Sequence, residues 1–453
     1  MSNRAADLPS RPQNQVQDLK RDGVFKGTSD VFSVPFAMNQ VLVRRDQGNF
    51  NRQPRLIKLC PLPLRQDGVT PLAKSKIQMR SLVEGLRKIF AARTRRWEYL
   101  QVEVTTRCNL PGCLMCPRSA WPGRWQHQDL DWANFEALIP DLKQFARVHL
   151  SGWGEPLLHP RLWDMAEIAR QEGCGVSLTT NGLGLTEEVQ LKALEHLEMI
   201  AISLDGARAA TYEGLRPGAD FARVAGQIAA LCSRKRAMGR KRPEVVLLFM
   251  KMRPNLAELP EFLEFAAELG VDRVNATNLD LVSTPAMADL SLISPGLPGP
   301  EIQALLQKAA QRAQKVQMHF RNLSLKPKTD LVVCEANPFK NVFITAFGEA
   351  APCVYLGLPL AGEFSRKFFD SSYRARNFSY GNLRDQRLST LLRQRPYLNF
   401  TEYFLGREDV GFNLFQLPPG EYSQKGGNQG AFSRPTAFPW PPVCRGCFKT
   451  LGV

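Results

Sequence analysis

The sequence predicts an α/β protein built on a parallel sheet, and two observations lead there. Between residues 98 and 280, six short strand-like runs alternate with helix-length amphipathic stretches, and strands joined by such crossovers lie parallel with right-handed connections. Chemistry-bearing residues also follow the first four runs, where an open or partial (β/α)6 barrel puts its site, at the C-terminal ends of its strands. Strands are expected at 100–104, 145–151, 175–180, 198–204, 244–250 and 272–277. Helices are expected at 131–144, 160–172, 186–196, 221–238 and 255–269, with Asp131 and Thr186 in N-cap positions.

With 453 residues, 44% of them hydrophobic, the chain has length for two folded units and an appendage. The expected units are a basic, partly disordered N-terminal extension (1–97), a core (98–325) and a C-terminal unit with a long insert (326–453). The first ten residues hold no apolar signal region, and nowhere do about 18 apolar residues run together. The expectation is a soluble cytoplasmic protein without a membrane partner. In that compartment ten cysteines read as metal or catalytic thiols, not as disulfides.

Charge is concentrated at one end. Residues 1–97 carry 19 Lys+Arg against 7 Asp+Glu, a net +12 of the chain's +16. Strand-like alternation at 31–43 and helical spacing from Ile77 to Phe90 fall within this basic stretch. It reads as a solvated tail plus a helix on the main domain, or as a surface that grips an acidic peptide or phosphorylated ligand. No aromatic-rich RNA-binding pattern accompanies it, so nucleic acid is not an expected partner.

The most informative segment is Cys108-Asn109-Leu110-Pro111-Gly112-Cys113-Leu114-Met115-Cys116 after the first strand. Three thiolates leave a fourth coordination position open, so a metal held there can act on a ligand. Zinc is the competing reading, with His127 the nearest fourth ligand. Ser151-Gly152-Trp153-Gly154-Glu155 follows the second strand, Thr180-Asn181-Gly182 the third and Ser203-Leu204-Asp205-Gly206 the fourth. Glycines at 152 and 154 allow backbone to approach a ligand closely, and Glu155 can accept charge-assisted hydrogen bonds.

Residues 98–280 thereby resemble the radical S-adenosylmethionine (radical SAM) superfamily. The resemblance implies a TIM-like partial barrel whose three cysteines hold a [4Fe-4S] cluster with SAM on its unique iron. It also implies reductive cleavage of SAM to a 5'-deoxyadenosyl radical that abstracts hydrogen, and a reducing donor such as a flavodoxin or ferredoxin. By the same resemblance Gly152, Gly154 and Glu155 meet the methionine ammonium, Asn181 and Ser203 the ribose and carboxylate, and Arg216 the carboxylate. The spacing departs from the family pattern: Cys-x4-Cys-x2-Cys stands for Cys-x3-Cys-x2-Cys, and Met115 replaces the aromatic that would sit near adenine. Asp205 and Glu103 are candidates for moving a substrate proton, or else a strand-end turn aspartate and a hydrogen-bonded glutamate of the sheet.

A second cysteine set follows: Cys334, Cys353 after an apolar run and Gly348, and the knuckle Cys444-Arg445-Gly446-Cys447. With Tyr380-Gly381-Asn382-Leu383 between, it resembles the SPASM/Twitch auxiliary-cluster domain. Full SPASM domains carry seven cysteines and two clusters; four here imply one auxiliary [4Fe-4S] cluster, with zinc the alternative. Cys60, Cys174 and Cys232 lack metal spacing and read as small buried hydrophobes. Residues 407–440, dense in Gly, Pro, Gln and Asn, read as a loop or lid. The expected function is oxidative modification of a peptide or protein side chain. The alternatives are a radical SAM dehydrogenase or rearrangement enzyme on a small alcohol, sugar or cofactor precursor, and a non-catalytic, metal-stabilised binding protein.

Overall fold

The fold is that of a computed structural model, which describes residues 97–412 and 439–453 apart from Pro295, Leu297, Thr329 and Asp330. The extension through residue 96, including Cys60, and most of the expected lid lie outside the described residues. Among the described residues no helix is long and apolar enough to cross a membrane.

Six expected strands form within three residues of their predicted ends: β1 (Trp97–Val102), β2 (Phe145–His149), β3 (Gly175–Thr180), β4 (Met199–Ser203), β5 (Glu244–Lys251) and β6 (Arg273–Asn278). They lie side by side in chain order, each parallel to the next. A further parallel strand, β7 (His319–Asn322), extends the β6 edge. Its four residues are mostly exposed, which is why hydrophobic patterning did not reveal it.

The helices between strands span Trp132–Leu142, Leu162–Gln171, Glu187–His196, Phe221–Ala237 and Leu259–Leu269. Thr186 caps the third as expected, its hydroxyl accepting from the Val189 N–H. Asp131 occupies the first N-cap position but makes no cap bond; its carboxylate pairs instead with Arg384, at 2.6 Å. A short helix, Ala209–Leu215, adds a turn after β4 that the helical pattern did not mark.

The pleat sorts the sheet into two faces. Leu100, Val148, Leu178, Ile202, Leu247 and Val274 are fully buried, and they join Phe135, Leu138 and Phe262 of the helices in one core. By register the opposite face carries Gln101, His149, Ser177, Thr179, Ser203 and Asn275. That face is polar and only partly covered, so it is the side on which a ligand finds partners.

The C-terminal unit is built into the same sheet. β8 (Asn341–Ile344) pairs in parallel with β1, Val342 beside Leu100. The turn at Gly348, at φ +80°, sends the chain back antiparallel as β9 (Glu349–Ala351), the hairpin expected from the glycine. A two-stranded ribbon, β10 (Glu363–Phe368) and β11 (Ser371–Arg376), stands apart, and β12 (Gly381–Asn382) returns to β9. The result is a ten-stranded sheet with β12 and β7 at its edges.

On the polar face His149 sits between two hydroxyls, Ser177 Oγ 2.9 Å from Nδ1 and Thr179 Oγ1 3.3 Å from Nε2. Burial pushes its pKa down to about 4. The unfolded chain takes up a proton near pH 6.5, which the folded imidazole refuses until about pH 4, so this residue costs stability as pH falls through that window. Replacing His149 by Gln should remove the cost. Between pH 7 and 5 the wild-type protein should lose about 1–2 kcal/mol relative to the variant, at 1.36 kcal/mol per pKa unit discounted for partial exposure, as read from urea midpoints.

Candidate active site

The three-cysteine loop leaves β1 through Glu103 to Arg107 and is tied down on both sides. Thr105 Oγ1 donates to Asp129 at 2.6 Å, Thr106 Oγ1 to the Gln126 carbonyl at 2.8 Å, and the Trp125 indole to the Thr106 carbonyl at 3.2 Å. Within the loop, Cys116 N–H donates to the Cys113 carbonyl, which also accepts from the Ser119 hydroxyl at 2.9 Å. Leu114 N–H reaches the Leu215 carbonyl, tying the loop to the helix that precedes Arg216. His127 is exposed on the far strand of this turn, at the surface.

Gly152 and Gly154 have a different physical reason from the one expected of them. A Cβ at Gly154 would lie 2.3 Å from the Thr105 carbonyl oxygen and 2.5 Å from that of Arg107; one at Gly152 would lie 2.4 Å from Glu103 Cγ. The protein's own first loop, not a ligand, fills the space the glycines leave. With the two loops in contact, Glu155 N–H donates to the Arg107 carbonyl at 2.7 Å, which fixes Glu155 behind the cysteines.

The Glu155 carboxylate is buried. Oε1 accepts from the Thr180 hydroxyl at 2.7 Å and the Leu157 N–H at 3.2 Å; Oε2 accepts from the Asn181 N–H at 2.7 Å. Burial pushes its pKa up to about 6, against these bonds and the nearby Arg216 charge. Asn181 donates through Nδ2 to Asn109 Oδ1 at 2.7 Å and reaches Cys108 Sγ at 3.9 Å, joining the ends of β1 and β3.

Arg216 is held by Asp205: its Nε and Nη2 both lie 2.6 Å from Oδ2, while Oδ1 accepts from the Met250 N–H at 2.7 Å. Asp205, 1% exposed, thus anchors the guanidinium at the end of β4. Glu103 is likewise engaged, Oε1 accepting from Trp153 N–H at 2.8 Å and Oε2 from Ala346 N–H at 3.3 Å, and burial pushes its pKa up to about 7. Ser203 is half-buried at the strand end, outside these bonds, and Met115 is packed into the main core at 5% exposure.

Burial raises the pKa of Cys108, and raises that of Cys113 to about 11 in spite of Arg216. Beside them two buried donors have no partner, Tyr212 Oη and Arg118 Nε. Tyr212 was not legible as functional, its position on the short helix reading as core; its hydroxyl feels the charges of Arg216, Asp205 and Cys113.

The second cysteine set converges at the other end of the unit. Burial raises the pKa of Cys334 to about 11 and of Cys353 to about 12, and raises that of Cys444; Cys447 adds to the rise at all three. Gly446, at φ +71°, lets the knuckle turn under Tyr373, whose ring a Cβ would strike at 2.6 Å. Lys449, just beyond the knuckle, pairs with Asp280 at 2.7 Å and Glu335 at 2.9 Å, and Asp280 accepts from the Tyr355 hydroxyl at 2.9 Å. Trp153 links the loop after β2 to the C-terminal residues, its indole donating to the Val354 carbonyl at 3.1 Å and its ring edge-on to Trp125 and Tyr355. Among the described residues no three His, Cys, Asp or Glu side chains close tightly enough for a single metal ion. All-cysteine donor sets with unpartnered buried donors beside them are chemically suited to an iron–sulfur cluster, whose sulfur accepts hydrogen bonds.

Residues 102–266 match the Radical SAM superfamily. The chain carries a radical SAM domain. A curated relative is the tungsten-containing aldehyde ferredoxin oxidoreductase cofactor-modifying protein of Pyrococcus furiosus, 28% identical over 67% of this chain and 83% of that protein. Another is the PqqA peptide cyclase of Gluconobacter oxydans, 31% identical over 39% of this chain, which spans less than half, 47%, of that protein. Among solved structures, SuiB of Streptococcus suis bound to S-adenosylmethionine covers 73% of this chain and 79% of its own, with TM-score 0.51 and 13% identity, a likeness of fold. This radical SAM enzyme is therefore expected, as its family implies, to use a [4Fe-4S] cluster and SAM. The non-catalytic reading falls with that match.

Two glycine substitutions test the loop contact. Gly154→Ala should cost about 3 kcal/mol or more, since carbonyl oxygens on both sides must move. Gly112→Ala, with nothing within 4 Å, should stay within about 0.5 kcal/mol of wild type. Urea unfolding of both variants decides it.

Proposed function

We propose that the chain is a radical SAM maturase that oxidatively modifies a peptide or protein side chain. In this reading Cys108, Cys113 and Cys116 hold the SAM-binding cluster on a partial barrel spanning 98–325. Cys334, Cys353, Cys444 and Cys447 hold an auxiliary [4Fe-4S] cluster in a SPASM/Twitch-type unit at 326–453. The observation that carries it is the gathering of four C-terminal thiols on the sheet that also bears the three-cysteine loop. The name of the Gluconobacter relative, a peptide cyclase, favours a peptide substrate.

Bound SAM supplies a 5'-deoxyadenosyl radical for hydrogen abstraction. The chain's residues hold and orient it. Glu155 Oε2, which accepts one hydrogen bond, from the Asn181 N–H, keeps a lone pair for the methionine ammonium. Arg216, fixed by Asp205, and Asn181, fixed by Asn109, offer donors to the carboxylate and ribose, with Ser203 beside them. Gly152 and Gly154 serve by seating Glu155, and Met115 by packing beneath the loop. Glu103 and Asp205 act as anchors, and electrons come from a small reducing protein of the flavodoxin or ferredoxin kind.

A second reading rests on the Pyrococcus relative, whose alignment is the longer and whose name is that of a cofactor-modifying protein: a dehydrogenase or rearrangement enzyme on a small alcohol, sugar or cofactor precursor. Mass spectrometry separates the two after incubation with reductant and SAM. A peptide pool that loses hydrogen mass supports the maturase, whereas turnover confined to small molecules supports the second reading.

Two measurements test the site. After anaerobic reconstitution the protein should hold about eight irons, and about four when the C-terminal cysteines are replaced by Ala. Glu155→Gln should keep the iron and bind SAM about 10- to 100-fold more weakly by calorimetry, the loss of one charge-assisted bond. Unchanged affinity would remove Glu155 from the SAM site.

A further inference from the structure

We propose that Arg366 and Tyr380 donate hydrogen bonds to the sulfur of the cluster held by Cys334, Cys353, Cys444 and Cys447, and thereby raise its reduction potential. The proposal rests on the four-thiol reading given above and assigns to it two residues that lie outside every cysteine motif.

Arg366 projects from β10 and is 2% exposed. Its Nη2 donates to the Tyr355 carbonyl and its Nη1 to that of Val443, at 3.3 Å. Those carbonyls lie two residues after Cys353 and one before Cys444, so the guanidinium bridges two of the cysteine loops. Its Nε is buried without a partner, and the partners it does have are neutral. A buried cation satisfied only by neutral carbonyls costs several kcal/mol and calls for an anion nearby.

Tyr380 lies on the chain between β11 and β12. Its backbone N–H is fixed on the Ala350 carbonyl at 2.7 Å, and its ring is boxed edge-on by Tyr397 at 5.2 Å, Phe378 at 5.9 Å and Phe400 at 6.0 Å. The hydroxyl, in a residue 1% exposed, has no partner, and Tyr397, Cys353, Cys444 and Cys334 are the groups that act on it electrostatically. A buried phenol in a fixed ring wants an acceptor where it points. Protonated thiols offer a poor one, whereas cluster sulfur is an acceptor with negative charge. The three-cysteine site repeats the pairing, with Arg118 Nε and Tyr212 Oη unpartnered beside Cys108 and Cys113. Reduction adds one electron to the cluster, so a fixed positive charge and hydrogen bonds to sulfur favour the reduced state.

The test is a redox titration followed by electron paramagnetic resonance. It uses full-length protein carrying Cys108→Ala, Cys113→Ala and Cys116→Ala, so that only the C-terminal thiols hold iron, with dithionite as the one-electron reductant. About four irons per chain are expected before and after each substitution. Arg366→Gln should move the midpoint to more negative potential, Arg366→Lys should recover part of the shift, and Tyr380→Phe should give a smaller negative shift. Full iron with an unmoved midpoint in both Arg366→Gln and Tyr380→Phe overturns the assignment while leaving the cluster reading intact. Absence of iron from the parent protein overturns the cluster reading and the assignment with it. If Arg366→Gln does not take up iron, Tyr380→Phe, which removes a single oxygen, decides.

Discussion

The contact between the loop after β2 and the loop after β1 is the constraint on which the site depends. Gly154 lies against the carbonyls of Thr105 and Arg107 at distances no side chain tolerates, and the Glu155 N–H closes the contact on Arg107. From that bond follow the position of the Glu155 carboxylate, its hold on Thr180 and Asn181, and through Asn181 the tie to Asn109 and Cys108. A chain of backbone and amide hydrogen bonds thus orders the first three strand ends. Arg216 and Asp205 order the fourth by charge.

Electrostatics and burial work against each other at both thiol groups. Burial raises the pKa of Cys113 and of Cys353, and Arg216 and Arg366 oppose it without overcoming it. Sites of this kind take up metal with release of protons, because only the metal's charge makes the thiolate affordable in so apolar a setting.

Much of this was legible in the sequence, for particular reasons. The six parallel strands were readable because each is an apolar run set between helices, and Thr186 because a threonine before Glu187-Glu188 can do little but cap. Glu155 and Asn181 were readable from their place after a strand. Other features depend on three-dimensional contact. β7 is short and polar, and the partnership of β8 with β1 joins residues more than 200 positions apart. Gly152 was marked as special, but its neighbour proved to be Glu103. Trp153 has its reason in the Val354 carbonyl and the Tyr355 ring, which no linear motif records. Tyr212 and Arg366 belong to no motif in the sequence, and Tyr380 only to the Tyr-Gly-Asn-Leu stretch; the lack of a partner in a buried place singles them out.

The seam between β1 and β8 has a consequence for engineering. β1 is an interior rib of the sheet, with β2 on one flank and the C-terminal hairpin on the other. A protein cut back after residue 325 would bare a row of peptide groups along that rib, an adhesive margin that invites self-association. The cysteine-bearing tail is consequently not a detachable accessory, and transplanting it to another scaffold would mean carrying half of the groove in which it is moored.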